Sequence, residues 1–350
     1  MNSNNNTRTP HRRSTVQSTW PSATLENFHE VPARDRAAPA AWCYTDRLSY
    51  FPGEVIRIHT CTTLRHYNLR MYRDGAEPIE VYCAEHQQGM YYETPEDCSV
   101  NGCNWPVSNT FDIPLDTRSG GYILHIEGYD TTQRIEHHFP IIIKARQPSA
   151  PNALLLVACT ATWVAYNDWG GSNYYEGTCG PDRDQPSPIV STQRPFSRGF
   201  AWLPEGAPRI PLRTPPKMGA APRYLHAEWA YANGFSKKYA SAGWASYERH
   251  FLQWAERQNY TVDMATQHDL HSNPELLKNY SCVVLVGHDE YWSWETHRVT
   301  PYQPIRKQVL AAQAPRTFAD EPRASGDWGR TTLRINEQTA DRLVADCDKL

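Results

Sequence analysis

The sequence predicts an antiparallel β-sandwich followed by a parallel, doubly wound α/β sheet. Three observations carry that expectation. Between residues 40 and 147, short runs alternate apolar and polar residues, with Gly and Pro turns between them, the pattern of strands with one buried face. After residue 152 the apolar runs become continuous, as in Ala153-Leu154-Leu155-Leu156-Val157-Ala158 and Cys282-Val283-Val284-Leu285-Val286, which suits strands buried on both faces. Gln147-Pro148-Ser149-Ala150-Pro151 lies between the two regimes and reads as a linker.

The elements follow in order. Arg47–Phe51 runs into the turn signal Pro52-Gly53, and Val55-Ile56-Arg57-Ile58-His59 then alternates. Leu69–Tyr72, Tyr122–Ile126 and His138–Ile143 are further strands of the first region. Beyond the linker, a Pro- and Gly-rich excursion fills Gly170 to Met218. Trp244 to Arg257 places Tyr247, Phe251, Trp254 and Ala255 at helical spacing. Tyr260–Ala265 is a strand candidate, and Asn273-Pro274-Glu275 opens a short helix with Pro at its first position. Strands alternating with helices predict a parallel sheet. The domain reading is therefore a disordered tail over 1–39, a sandwich over 40–147, an α/β domain over 152–295 and a weakly ordered tail over 296–350.

Composition bounds the function. A chain of 350 residues with 40% hydrophobic content has material for two cores, since single cores stop growing at roughly 250–300 residues. With 35 basic and 38 acidic residues there is no cationic excess to meet phosphates, so nucleic acid is not an expected partner. There is no run of about 18 apolar residues, so no membrane span is expected. Met1 to Pro21, rich in Asn, Ser, Thr and Arg, lacks the apolar stretch of a signal peptide. A cytoplasmic location is expected, with most of the nine cysteines as free thiols. Cys98 and Cys103 are close enough in sequence to bridge or to share a metal, but no second close pair completes a zinc site. The 12 Trp and 20 Tyr suit a large core or an aromatic pocket.

Chemistry is expected beyond the carboxyl ends of the buried strands, where ligands bind in open α/β sheets. Two polar-aromatic segments fall there, Thr160 to Tyr175 and Gly287 to Trp294. His288 and Glu290, two apart, share a face if strand geometry persists. A histidine beside a carboxylate serves as a base plus a metal ligand; the plainer alternative is a carboxylate capping the next helix. Gly170-Gly171 is as compatible with an ordinary turn, and no dinucleotide fingerprint or P-loop occurs. His268-Asp269-Leu270-His271 either lines the same cleft or is merely solvated. No Gly-x-Ser-x-Gly elbow is present, and Cys159 follows an apolar run, so a buried, inert thiol is expected.

Tyr166-Asn167-Asp168-Trp169-Gly170-Gly171-Ser172, Asp269-Leu270-His271 and Gly287-His288-Asp289-Glu290-Tyr291-Trp292-Ser293-Trp294-Glu295 together resemble the large (β) subunit family of N,N-dimethylformamidase. The similarity extends over about Ala41 to Glu295. It implies a sandwich domain followed by an amidotransferase-like α/β domain. It also implies a mononuclear ferric iron held by two tyrosines and a glutamate, and hydrolysis of a small N-substituted formamide to formate and an amine. Glu290 matches the glutamate ligand, and His288 a neighbouring acid/base. Tyr166 looks like one tyrosine ligand, with Tyr175 in the same motif as the alternative. The other falls in the excursion, where Tyr224 is chosen ahead of Tyr231 and Tyr239. A small partner subunit, in a homo- or hetero-oligomer, joins the small amide among the implied partners.

Phenolate and carboxylate are hard oxygen donors and favour a ferric ion over thiolate-loving metals. Such an ion polarises an amide carbonyl and lowers the pKa of a bound water. After Glu295 the resemblance stops. Val299–Pro304, Ala314–Arg316 and Glu321–Gly326 lack apolar periodicity, with only a short helix expected near Thr339–Cys347. That departure reads as truncation or a frameshift. It sets beside the amidohydrolase a second expectation, a catalytically inactive remnant with a binding or structural role.

Overall fold

The computed structural model describes residues 39–131, 133–175, 189–209, 213–214 and 223–293. The tail expected over 1–39, save its last residue, and the segment from Trp294 onward lie outside these.

Among the described residues, the chain before the linker forms β1 (Ala41–Thr45), β2 (Ser49–Tyr50), β3 (Val55–Thr62), β4 (His66–Asp74), β5 (Pro78–Gln88), a short helix α1 (Cys98–Asn101), β6 (Val107–Asp112), β7 (Gly120–Tyr129) and β8 (Arg134–Ile143). After it come β9 (Leu154–Ala158), α2 (Thr160–Tyr166), β10 (Arg213–Thr214), β11 (Arg223–Tyr224), α3 (Leu225–Asn233), α4 (Glu248–Arg257), β12 (Val262–Thr266), α5 (Gln267–Ser272), a 3-10 turn over Pro274–Asn279 and β13 (Cys282–Val284).

Both antiparallel and parallel sheets are present. One sheet has the order β1-β3-β6, all antiparallel. A second has the order β2-β8-β7-β4-β5, antiparallel except where β2 runs parallel to β8. The third is β12-β9-β13, parallel throughout. A two-strand antiparallel pair, β10-β11, stands apart from these.

Side-chain patterns explain the pairing. In β4, Tyr67, Leu69, Met71 and Arg73 are buried while the residues between them are half-exposed or exposed. β7, in contrast, is buried on both faces up to Gly128. Its second face is covered from beyond the linker: a Cβ on Gly121 would meet the Trp244 ring at 2.1 Å. β9 likewise serves two cores. Leu154, Leu156 and Ala158 join one large cluster with Ile58, Leu124, Phe139, Trp163 and Trp244, whereas Leu155 and Val157 pack with Ala265, Leu270 and Val283. The buried strands and helix are each shorter than expected: β13 stops at Val284, β12 starts at Val262 and α4 starts at Glu248.

Polar ties cross the linker too. Asp74 at the end of β4 accepts hydrogen bonds from Trp244 Nε1 at 2.7 Å, Arg249 Nε at 2.7 Å and Gln253 Nε2 at 3.4 Å. Arg73 pairs with Glu256 of α4, and both side chains are nearly inaccessible. Removing one partner of a buried pair strands the other. Asp74→Ala should therefore lower the unfolding free energy by about 3 kcal/mol, the low end for such a loss because Arg249 retains some water contact. Urea denaturation checks this; a loss below about 1 kcal/mol would show that the tie is dispensable.

Candidate functional site

β9 is the middle strand of the parallel sheet, in register with Val262 and Cys282 on its two sides at Leu154. Parallel pairing brings the carboxyl ends of all three strands to one edge, where α2, α5 and the segment 285–293 begin. Where a short turn was expected before Tyr166, the chain forms α2 at once. α5 starts with a capping box: Thr266 Oγ1 accepts from Asp269 N, and the Asp269 carboxylate accepts from Thr266 N.

Gly287 turns the chain out of the sheet at φ +75°, and a Cβ there would lie 2.2–2.5 Å from atoms of the Tyr247 side chain. Only glycine meets both demands. The next residues dock on α2, where Glu290 N donates to Thr162 Oγ1 at 3.0 Å. Tyr175 is brought back by the loop after α2, where Tyr174 N bonds Ala165 O at 2.9 Å. The buried Arg194 fixes that loop through the carbonyls of Asn167, Trp169 and Ser172. Gly170 makes the loop's tight passage at φ +86°, where a Cβ would strike Cys98 Sγ at 2.5 Å.

Four side chains converge as a result. Glu290 Oε2 accepts from Tyr175 Oη at 2.7 Å and Tyr166 Oη at 3.0 Å, and lies 3.2 Å from His288 Nε2. Tyr291 donates its hydroxyl to Tyr175 Oη. His288 Nδ1 lies 2.9 Å from Ser241 O. A carbonyl only accepts, so Nδ1 carries a proton and Nε2 is the nitrogen that exchanges one with its surroundings. Although strand geometry ends at Val284, His288 and Glu290 do meet.

The charges support one another. Burial pushes the Glu290 carboxyl up, but hydrogen bonds from His288, Tyr175 and Tyr166 outweigh it and hold the group below its usual range. The bond to Glu290 raises His288 above the ordinary imidazole value. Burial first, then neighbouring hydroxyls and Glu290, raises Tyr175; burial and Glu290 raise Tyr166. The phenols therefore keep their protons while they face the bare carboxylate. A cation entering would replace those protons at the same oxygens. Two phenol oxygens on one carboxylate oxygen form a hard, potentially anionic donor set that fits a ferric ion.

The remaining candidates are placed elsewhere. Tyr224 is not among the hydrogen-bond partners of Glu290; it sits on β11, edge-on to His226 with ring centroids 6.3 Å apart. Tyr239 is buried and donates to Pro208 O. Tyr231 lies on α3. His268 Nδ1 pairs with Thr160 Oγ1 and His271 Nδ1 with Ser293 Oγ, each at 2.9 Å. Asp269, besides capping α5, binds Lys144 and Ser49 across the linker. Tyr291 and Ser241 were not singled out from sequence. Tyr291 adjoins Glu290 in the motif, whereas nothing in the sequence signals Ser241, which acts only through its carbonyl.

Behind the cluster lies a second acidic pair. Glu248 Oε1 accepts from Cys159 N at 3.0 Å and Trp163 Nε1 at 3.1 Å. Burial pushes Glu248 up to about 7, and burial plus Glu248 pushes Asp289 up to about 7. The Cys159 thiol is buried and raised well above its ordinary value, which makes it inert. The described cysteines, Cys98 and Cys103 included, are free thiols. No helix among the described residues is long and apolar enough to cross a membrane.

A family model described as "N,N-dimethylformamidase beta subunit-like, C-terminal" matches residues 63–302. The N,N-dimethylformamidase beta subunit of an Alcaligenes species is 22% identical over 225 residues, and that of Paracoccus aminophilus 20%. Each alignment covers 63% of this chain and 28% of the relative, so the chain spans little more than a quarter of their length. Among solved structures, the sporulation control protein Spo0M of Bacillus subtilis aligns over 31% of this chain and 50% of its own, at 16% identity and a TM-score of 0.23.

A carboxyl raised on folding contributes stability below its ordinary value, here 4.5, and loses it as pH rises through its folded value, here about 7. Glu248→Gln removes that loss while keeping an oxygen for Cys159 and Trp163. The fall in stability between pH 5 and pH 8 should be smaller in the variant, though not abolished, because Asp289 titrates in the same direction. Urea midpoints at the two pH values check this; equal falls in both chains would contradict it.

Proposed function

The chain belongs to the N,N-dimethylformamidase beta subunit-like family, and on that premise we propose that it is an iron-dependent amidohydrolase. Its substrate is a small N-substituted formamide, hydrolysed to formate and an amine. The observation that supports this reading is the convergence of Tyr166, Tyr175 and His288 on the Glu290 carboxylate.

Tyr166, Tyr175 and Glu290 would hold the iron, with Tyr175 in the position that sequence reasoning gave to Tyr224. When bound, a ferric ion supplies Lewis acidity that polarises the amide carbonyl and acidifies water. His288 supplies proton transfer. Ser241 O fixes its ring, and Nε2 faces the cluster. Water adds to the formyl carbon as His288 Nε2 takes its proton, and when the C–N bond breaks Nε2 passes that proton to the amine nitrogen. The rings of Tyr174, Tyr175 and Tyr291, with centroids 5.3–6.4 Å apart, form an apolar wall suited to N-methyl groups. The same premise makes the first two sheets a sandwich domain and the third an amidotransferase-like domain. The matched relatives are named beta subunits, and a partner subunit for this chain is part of the proposal.

One observation favours a second reading, an inactive member that keeps the fold as a binding or structural protein. Glu290 is satisfied by protonated phenols, so the cluster is stable without a cation. Metal loading separates the two readings. Phenolate bound to ferric iron gives a visible charge-transfer band. Glu290→Ala should abolish iron retention and the band. His288→Ala should keep both and slow formamide turnover by about 10²–10⁴-fold. Iron absent from the refolded wild type, or full activity in Glu290→Ala, favours the inactive reading. Tyr175→Phe should shift or remove the band and Tyr224→Phe leave it intact; the reverse restores Tyr224 as the ligand.

A further inference from the structure

A second cluster of ligating side chains lies on the five-stranded sheet. His125 of β7 and His138 of β8 are directly opposed in the antiparallel register. Their rings stack with centroids 4.3 Å apart and planes 8° from parallel. Glu136, two residues before His138, shares its face of β8 and accepts at 3.0 Å from His125 Nε2. One ligand atom from each of the three lies within 4.8 Å of the others. Trp202 stacks on the far side of His138 at 5.1 Å and fixes its ring. The cluster opens into a cavity of about 320 Å³ whose wall includes Tyr72, Ile123, Trp202 and Arg249.

We propose that His125, Glu136 and His138 form a binding site for a divalent ion of the zinc class. Two imidazoles and one carboxylate are a donor set for such ions, and calcium and magnesium prefer oxygen alone. Bonds of about 2.0–2.1 Å in a tetrahedron set ligand atoms roughly 3.4 Å apart. The ligand atoms now lie within 4.8 Å of one another and the two imidazole planes are 8° from parallel, so binding an ion requires the side chains to close in and one ring to turn out of the stack. Three protein ligands leave a fourth position on the cavity side for water or a small ligand, the arrangement of an open site.

The competing account is a plain hydrogen-bonded patch. Arg134 binds Glu136 at 3.1 Å, and its positive charge opposes a cation. Arg198 is also near enough to act on Glu136. Against them stand Glu136 itself and Glu127, which accepts from Arg134 Nε at 2.9 Å and draws part of that charge away. No hydrogen bond to either ring nitrogen of His138 is found among the described residues, which leaves a lone pair beside the carboxylate.

Cobalt(II) tests the site in the full chain, because it reports coordination by its visible spectrum. The wild type should bind one equivalent with the intense bands of a four- or five-coordinate ion. Glu136→Gln and His138→Gln should each weaken that binding by at least about 10-fold, and Glu290→Ala should leave it unchanged. Binding lost in Glu290→Ala but kept in Glu136→Gln would overturn the proposal, as would a spectrum like that of the free aquo ion. If the Gln variants do not fold, imidazole NMR of the wild type decides: zinc should shift the His125 and His138 resonances, and unshifted resonances overturn the site.

Discussion

The arrangement rests on β9, a five-residue strand flanked in parallel by β12 and β13. Parallel pairing on both edges uses the backbone groups of the strand and leaves its two faces as the only outlets for side chains. Leu154 and Leu156 take one face and anchor the core shared with the antiparallel sheets; Leu155 and Val157 take the other. The same pairing collects three strand ends on one edge, so α2, α5 and the Gly287 turn emerge together. That edge is where open α/β sheets place their ligands, so the position of the candidate site follows from topology. Its contents are a consequence of which polar residues follow each strand.

At that edge the governing physics is the solvation of one carboxylate. Glu290 is largely cut off from water, and a buried carboxylate is costly unless hydrogen-bonded. Tyr166, Tyr175 and His288 supply those bonds. The phenols are well matched to the task because they donate when neutral and ligate when ionised. The geometry thus fits both a proton-filled and a cation-filled cluster. Glu248 and Asp289 add titratable groups that link stability to pH, and the charge of Asp289 also acts on His288.

How much of this the sequence reveals varies with the distance over which each feature is decided. The parallel pairing of 154–158 with 282–284 is visible because an uninterrupted apolar run admits few other roles. His288 and Glu290 are visible because Gly287 and the preceding strand fix them locally. Tyr175 against Tyr224 is not decidable that way. The loop that returns Tyr175 is held by Arg194, about twenty residues further on, and no local pattern encodes that clamp. β7 reads as one-sided in sequence, yet Trp244 from across the linker buries its second face. The His125, Glu136 and His138 cluster is silent in sequence for a related reason. Cross-strand register joins it, and register depends on the whole hairpin.

The central claim is that the Glu290 cluster is a metal centre whose ligands are Tyr166, Tyr175 and Glu290. It is tested most directly by a crystal structure of iron-loaded chain with diffraction collected at the iron absorption edge. The account predicts one anomalous peak in bonding contact with Tyr166 Oη, Tyr175 Oη and Glu290, displacing the phenol-to-carboxylate hydrogen bonds now seen there. A peak at Tyr224, or iron-loaded crystals with no peak at Glu290, would contradict it.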